Sequence, residues 1–533
     1  MTRPSDSQDR CSGVYPASAL ALHLFIPISY NNWKFIYIFA EKINIQMKNI
    51  QINIQEEVSR CLLCNDAPCS KACGKNDVAR ALRAVRFGNE AIANQWIEGC
   101  SNDDLERAEQ ACIHYNYPVR IREIVAELPA ATRVDKLPSL KIDFCGMECE
   151  NPFFLASSSV CTNYDMVARA FDAGWAGVFY KTICLDDIKE VSPRFDVVHR
   201  EGTKGDFSAL RNMEQLSENP AEVDFEILRR LKQNYPSKIV VASIMGSTEE
   251  QWIELAKMAD AAGVDAVELN FSCPQMRMAG MGSDVGQNPE LVTFYTSYVK
   301  RSVSIPVIPK MTPNITFMSR PAMGAYFAGA DAISAINTIK SVTMDERAEV
   351  SGKWTISGMS GRAVKPIALR FILEMAKNPV MKNIKLSGIG GIETWRDALE
   401  FIQLGCSNVQ VCTSVMQYGY RVIDDLTLGL QHYMAARGID SVADLVGEQL
   451  PNFVNPSDLD RDTVVFPIFD REQCIGCGRC YISCMDGGHQ AIDFGDDRRP
   501  HLQGSKCVGC HLCRLVCPTG AIGMSRRVNK KRQ

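Results

Sequence analysis

The sequence predicts an α/β chain centred on a (βα)8 barrel, with a small helical domain before it and a cysteine-dense domain after it. Three observations carry this reading. Residues 140–440 alternate short apolar runs with helix-length segments eight times, which suits a closed barrel better than an open doubly wound sheet. Residues 50–128 are polar, patterned as helices and contain six cysteines. Residues 465–525 contain eight cysteines in two runs of equal spacing. The Pro-bearing stretches 127–139 and 447–460 read as the linkers between these regions.

Composition narrows the function. Hydrophobic residues make up 46% of the 533 and charged residues 23%, an ordinary globular balance. A net charge of −4 gives no electrostatic reason to expect nucleic acid or an anionic membrane as partner, and "NKKR" near the C-terminus reads as a solvated tail. Several of the 22 cysteines cluster in CxxC spacings, within a chain too large to need disulfides. They point to metal or iron–sulfur sites in a reducing compartment, the cytoplasm. The apolar run "ASALALHLFIPI" (17–28) is only 12 residues long, short for a membrane span. Residues 1–46 differ abruptly in character from the polar, helix-patterned region after them. They read as a non-native or disordered N-terminal extension, with translation expected to start at Met47.

Within the barrel the expected strands are "PFFLASSS", "AGVFYKT", "IVVASIMG", "AVELNFS", "VIPKMTP", "DAISAINT", "IKLSGIGG" and "NVQVCTS". Helical segments such as "EEQWIELAKMADAAG" and "TWRDALEFIQLG" lie between them, most closing on a glycine suited to a helix C-cap. Six strand ends carry polar or glycine residues: Lys181 and Thr182, Asn270 and Ser272, Lys310, Asn337 and Thr338, Gly390 and Gly391, and Thr413 and Ser414. In such barrels that face holds the active site. One such residue alone is usually a satisfied buried polar group; six ends in agreement are harder to dismiss.

The C-terminal region reads C-x2-C-x2-C-x3-C twice, at Cys474, Cys477, Cys480, Cys484 and at Cys507, Cys510, Cys513, Cys517. In runs of this spacing the fourth cysteine ligates the other run's cluster. One [4Fe–4S] cluster therefore takes Cys474, Cys477, Cys480 and Cys517, and the second takes Cys507, Cys510, Cys513 and Cys484. The first run has Met485 where Pro usually comes next. A tail that moves single electrons requires a converter to two-electron chemistry, and flavin is the usual one.

Gly390 and Gly391 after the seventh strand, with Thr413 and Ser414 after the eighth, occupy the barrel's usual phosphate-binding place, and an FMN phosphate would fit there. "GMSG", ending at Gly361, adds backbone amides. Lys310 and Lys181 suit the flavin's pyrimidine edge, where charge develops on reduction. The bland alternative is two lysines paired with barrel carboxylates. Asn212, Asn270, Asn337 and Thr338 offer donors and acceptors that match a ring alternating C=O and N–H, and no arginine clamp for a carboxylate is evident.

"NPFFLASSSV", "GWAGVFYKTI", "VSPRF", "NFSCPQM", "GMGSDVGQNPELV", "KMTPN", "AINT", "SGMSGRAVKPIALRF", "SGIGGIETW", "QYGYRVIDD" and "CIGCGRCYISCMDGGHQAI" resemble the dihydropyrimidine dehydrogenase family, in particular its bacterial subunit with FMN barrel and ferredoxin tail. The likeness runs from about residue 140 to 525. It implies a dihydroorotate-dehydrogenase-like barrel holding FMN, and an oxidoreductase acting on CH–CH bonds. The implied reaction interconverts uracil or thymine with their dihydro forms in pyrimidine catabolism. Carried onto this chain, Cys273 becomes the general acid, with Asn212, Asn270, Ser272, Asn337 and Thr338 on the pyrimidine. Hydride reaches C6 from the flavin, and a thiol with an ordinary pKa of ~8.5 can protonate C5. The glycines of the 275–286 loop suit a lid over the substrate.

"RCLLCNDAPCSKACG" (60–74) resembles the first half of the family's helical iron–sulfur domain and supplies Cys61, Cys64, Cys69 and Cys73 as candidate ligands. Only Cys100 and Cys112 come after it, enough thiolates for one further N-terminal [4Fe–4S] cluster but not for two. One cluster, or a domain kept for docking, both stay open. No strand–GxGxxG–helix unit occurs. The expected partner is therefore a separate FAD- and NAD(P)H-binding subunit within a homo- or hetero-oligomer. Rival readings are a dihydroorotate dehydrogenase and a non-catalytic electron-transfer subunit.

Overall fold

A computed structural model describes residues 53–74, 76–130, 134–198, 207–274, 281–344 and 353–530. The expected extension over 1–46 and most of the glycine-bearing lid (275–280) lie outside the described residues.

The centre is a closed parallel barrel of eight strands in sequential order. These are β1 (Phe153–Leu155), β2 (Gly177–Phe179), β3 (Ile239–Ile244), β4 (Ala266–Asn270), β5 (Val307–Met311), β6 (Ala332–Ala335), β7 (Lys385–Ile389) and β8 (Cys406–Val411). Each is followed by a helix: α1 (Tyr164–Asp172), α2 (Ala221–Asn234), α3 (Glu249–Ala262), α4 (Pro289–Ser302), α5 (Ser319–Phe327), α6 (Lys365–Ala376), α7 (Trp395–Gln403) and α8 (Val422–Arg437). The eight-unit barrel expected from sequence is what the chain forms.

Local signals explain the helix ends. Thr248 caps α3 by accepting from the Gln251 amide, and Gly263 closes it in the left-handed conformation at φ +77°. Thr394 and Asp397 form a reciprocal capping box that starts α7. The strands are almost wholly buried, as parallel strands covered on both faces must be, so they read as continuous apolar runs.

Two features carry no periodic signal. A hairpin, Ile142–Phe144 with Met147–Cys149, places Phe144 and Cys149 against Phe154 and Phe179 in a core cluster of their own. At the opposite end, a four-stranded antiparallel sheet joins Phe195–Val198, Ala209–Asn212, Ser357–Ser360 and Ile339–Ser341 from the β2 and β6 loops. It brings Asn212 and Gly358 into register beside the barrel mouth.

Candidate functional site

At the C-terminal ends of the strands lies a cleft of about 1050 Å³, counting the space at its mouth that is open to solvent. Its walls include Lys181, Thr182, Asn212, Asn270, Cys273, Lys310, Asn337, Thr338, Gly361, Gly390, Gly391 and Thr413. Ser272 and Ser414 are not on the walls. Each stands behind them, fully buried, and orients what lines the cleft. The Ser414 hydroxyl donates to the Ile392 carbonyl (3.0 Å).

Ser272 is the hinge of a polar relay. Its hydroxyl donates to Asn270 Oδ1 at 2.7 Å, and Asn337 Nδ2 donates to Ser272 Oγ at 2.8 Å. Asn270 Nδ2 donates to Thr182 Oγ1 at 2.9 Å, and the Thr338 amide donates to Asn337 Oδ1 at 2.7 Å. Both carboxamides are thus fixed in orientation before any ligand arrives. Asn212 reaches in from the cap sheet, where its Nδ2 donates to the Gly358 carbonyl at 3.4 Å. Gly358 has to be glycine, because a Cβ there would lie 2.2 Å from Thr338 Oγ1. Cys273 is buried three residues past β4, and its carbonyl accepts from the Ser283 amide at 2.9 Å.

Both lysines are paired, as the bland alternative holds. Lys181 Nζ lies 2.6 Å from Glu214, which Arg194 also engages at 3.1 Å. Burial opposes ionisation of Glu214, but Lys181 and Arg194 outweigh it and hold the carboxyl below its usual range. Lys310 Nζ lies 3.5 Å from Glu268 inside the barrel, where the hydroxyls of Ser243 and Ser334 each donate to Glu268 at 2.9 Å.

The end of the cleft where a phosphate is expected is a backbone cradle. Gly361, Gly390 and Gly391 take φ of +91°, +128° and +74°. A Cβ on Gly391 would stand 2.9 Å from the Gly361 carbonyl oxygen and 2.8 Å from Lys365 Cβ, so only glycine lets the two loops approach this closely. Thr413 opens a short helix, Thr413–Tyr418, and its hydroxyl meets Ser360 Oγ at 3.0 Å. Gln410, on β8, donates from Nε2 to Ser387 Oγ at 2.9 Å, while its buried Oε1 has no protein partner. An orphaned acceptor facing a cleft with a glycine cradle at one end fits a bound flavin. Sequence reasoning did not single out Gln410 or Glu214, and took Ser360 only as part of "GMSG". Only Gln410 left a signal, as the polar residue in the apolar strand "NVQVC".

The other cysteines gather round three small cavities. One is lined by Cys474, Cys477, Cys480 and Cys517, and a second by Cys484, Cys507, Cys510 and Cys513, the same two sets that the duplicated runs define. Among the described residues no three ligating side chains close on a single ion. A cubane binds each thiolate through a different iron and holds its four sulfurs further apart. The third cavity lies in the N-terminal domain and regroups its cysteines: Cys61, Cys64 and Cys69 are joined by Cys112. Cys73, which sequence proximity placed with the first three, instead faces Cys100 at an Sγ–Sγ distance of 3.0 Å. His114 Nε2 bonds the Arg60 carbonyl at 2.9 Å, which ties the loop after Cys112 to the residue before Cys61. Burial, then the neighbouring Cys61, pushes the Cys69 thiol up to about 11, so a bound cluster has protons to displace there.

This domain is docked on the barrel. Its helix Val78–Arg86 sends Arg83 to Asp425 of α8 at 2.7 Å, and Asn89 Nδ2 donates to the Asp425 carbonyl at 3.0 Å. Arg86 donates to the Cys61 carbonyl at 3.1 Å and to the Tyr418 hydroxyl at 3.4 Å. Tyr418 ends the short helix that begins at Thr413 on the cleft wall.

A barrel with such a cleft, joined to a tail with two four-cysteine cavities, defines an iron–sulfur oxidoreductase class. Residues 139–434 match the dihydroorotate dehydrogenase family model, and residues 468–524 match the 4Fe-4S dicluster domain. The chain is 51% identical over 399 residues to the NAD-dependent dihydropyrimidine dehydrogenase subunit PreA of Escherichia coli, covering 74% of this chain and 97% of the relative. It is 37% identical over 349 residues to the chloroplastic dihydropyrimidine dehydrogenase (NADP(+)) of Arabidopsis thaliana, covering 62% and 82%. It is also 36% identical over 312 residues to the catalytic subunit of dihydroorotate dehydrogenase B (NAD(+)) of Pyrococcus abyssi, covering 58% and 98%. The chain belongs to the PreA family of dihydropyrimidine dehydrogenase subunits. Among the described residues no helix is long and apolar enough to cross a membrane.

Proposed function

We propose that the chain catalyses the interconversion of uracil or thymine with the 5,6-dihydropyrimidine. FMN would sit in the cleft, and electrons would pass through [4Fe–4S] clusters to a separate NAD(P)H-oxidising flavoprotein in the cytoplasm. One observation carries the choice of a neutral pyrimidine over orotate. Among the described residues no arginine lines the cleft, and its two lysines already face Glu214 and Glu268. A carboxylate substrate would find no arginine clamp, whereas the oriented amides of Asn270 and Asn337 suit alternating C=O and N–H groups.

Bound FMN would supply hydride chemistry at the pyrimidine's C6 and single-electron exchange with the clusters. The chain's own residues do the rest. Gly361, Gly390, Gly391, Thr413 and Ser414 would hold the phosphate end, and Lys181, Thr182 and Lys310 the ring. Asn212, Asn270, Asn337 and Thr338 would orient the pyrimidine, with Ser272 fixing both asparagines. Cys273 would deliver a proton to C5 from the buried loop after β4. Two clusters are assigned to the tail and a third to Cys61, Cys64, Cys69 and Cys112.

The test is oxidation of dihydrouracil against dihydroorotate by the purified chain with an artificial acceptor. Dihydrouracil is expected to be the far better substrate, and preference for dihydroorotate would overturn the reading. NAD(P)H-driven reduction of uracil by the chain alone would remove the need for a second subunit.

A further inference from the structure

We propose that Cys73 and Cys100 are a dithiol pair that closes to a disulfide, a modification site separate from the cluster cavities. The four other cysteines of the N-terminal domain line a cavity of their own, leaving these two without a cluster to serve. The pair is held in reacting position. Cys73 ends the helix Pro68–Cys73, Cys100 precedes the cap of helix Asn102–Gln110, and the sulfurs are 3.0 Å apart. Closure to a bond requires a movement of about 1 Å.

The two thiols are unequal. Asn76 Nδ2 donates to Cys100 Sγ at 2.9 Å, which fixes the position of that sulfur. Cys73 is buried and Cys100 half-buried, so Cys100 is the sulfur an oxidant reaches first. Asn76, the residue bonded to Cys100, itself lines an open cleft with Gly74 and Arg421. Burial, together with the hydrogen bond to Cys100, pushes the Cys73 thiol up to about 12, so Cys73 keeps its proton until the second step.

The oxidant is a low-molecular-weight disulfide. The Cys100 thiolate attacks one of its sulfurs, forming a mixed disulfide and releasing one thiolate. Cys73 then loses its proton to solvent and attacks Cys100 Sγ, expelling the second thiolate. The protein loses two electrons and two protons, and the small disulfide becomes two thiols. The product ties the end of the Cys69–Cys73 segment to the Asn102 helix, beside the cavity that Cys69 lines.

The experiment exposes the anaerobically purified full chain to excess oxidised glutathione, then quenches it in acid. Remaining thiols are alkylated under denaturing conditions and the digest is mapped by mass spectrometry. A peptide linked through Cys73 and Cys100, lost on treatment with dithiothreitol, is expected. Cys73→Ser should instead accumulate glutathione on Cys100, while Cys100→Ser should leave Cys73 unmodified. Recovery of both residues fully alkylated from the oxidised protein would overturn the proposal. So would an iron content that falls by a cluster in Cys100→Ser, because the pair would then be cluster ligands. The outcome does not depend on the identity of the pyrimidine substrate.

Discussion

Replacing Arg83 with methionine should unseat the N-terminal domain from the barrel. Arg83 is one-tenth exposed at its side chain and lies 2.7 Å from Asp425, itself one-twentieth exposed. Two unit charges about 4 Å apart attract by roughly 4 kcal/mol at an effective dielectric near 20. Removing one partner of a buried pair typically costs about 3–5 kcal/mol, because the other charge is stranded. Desolvation, opposed by Arg83, already raises the Asp425 carboxyl to about 6. That lies above the ~3.9 of an unfolded aspartate, so protonation of Asp425 favours the folded chain. The contribution is fully present below the unfolded value and is lost as pH rises through about 6. Without Arg83 the carboxyl titrates higher still and escapes the penalty by protonating. The loss in Arg83→Met should therefore be several kcal/mol at pH 8 and markedly smaller at pH 5, and adding Asp425→Asn should recover much of it. Denaturant unfolding at the two pH values, with hydrogen exchange over residues 78–93, measures this. An equal loss at both pH values, or no rescue by Asp425→Asn, would refute the stranded-charge reasoning.

Gly391→Ala combines a left-handed φ of +74° with a Cβ 2.9 Å from the Gly361 oxygen. Strain and overpacking together of about 2–4 kcal/mol should lower flavin affinity by tenfold or more, read by fluorimetric FMN titration. Cys273→Ala should lower the physiological turnover by about 10²–10⁴ while the bound flavin spectrum stays unchanged. Cys112→Ser should remove one cluster's iron, whereas Cys73→Ser should keep all of it, as measured by iron and sulfide analysis per chain.

The barrel was legible because its signals are local. Each strand is a short apolar run ended by polar or glycine residues, and Thr248, Gly263 and Thr394 mark helix ends within a turn of where they fall. The polar strand ends were legible for the same reason, since the fold brings them to one face. The cap sheet was not legible. It pairs Gly358 with Asn212, far apart in sequence, through short strands without alternation. The docking pair Arg83–Asp425 was equally silent, because a charged helix face reads as solvated until another helix covers it. Chain proximity groups Cys73 with Cys61, Cys64 and Cys69, whereas in the folded chain it is Cys112 that shares their cavity.

The pairing of both cleft lysines would argue against a role toward a ligand if the two pairs were alike, but they are not. Lys181 meets Glu214 at 2.6 Å, a direct charge-assisted hydrogen bond that Arg194 reinforces from the other oxygen. Lys310 stands 3.5 Å from Glu268, beyond a strong hydrogen bond. Glu268 is fully buried, yet each of its oxygens already accepts a serine hydroxyl at 2.9 Å. Its charge stays solvated by Ser243 and Ser334 if Lys310 turns toward the cleft. The cost of that turn is one weak contact rather than a stranded carboxylate, so Lys310 can answer negative charge developing above it. Lys181 would break a strong charge-assisted bond in the same turn, so of the two lysines Lys310 is the one expected to move.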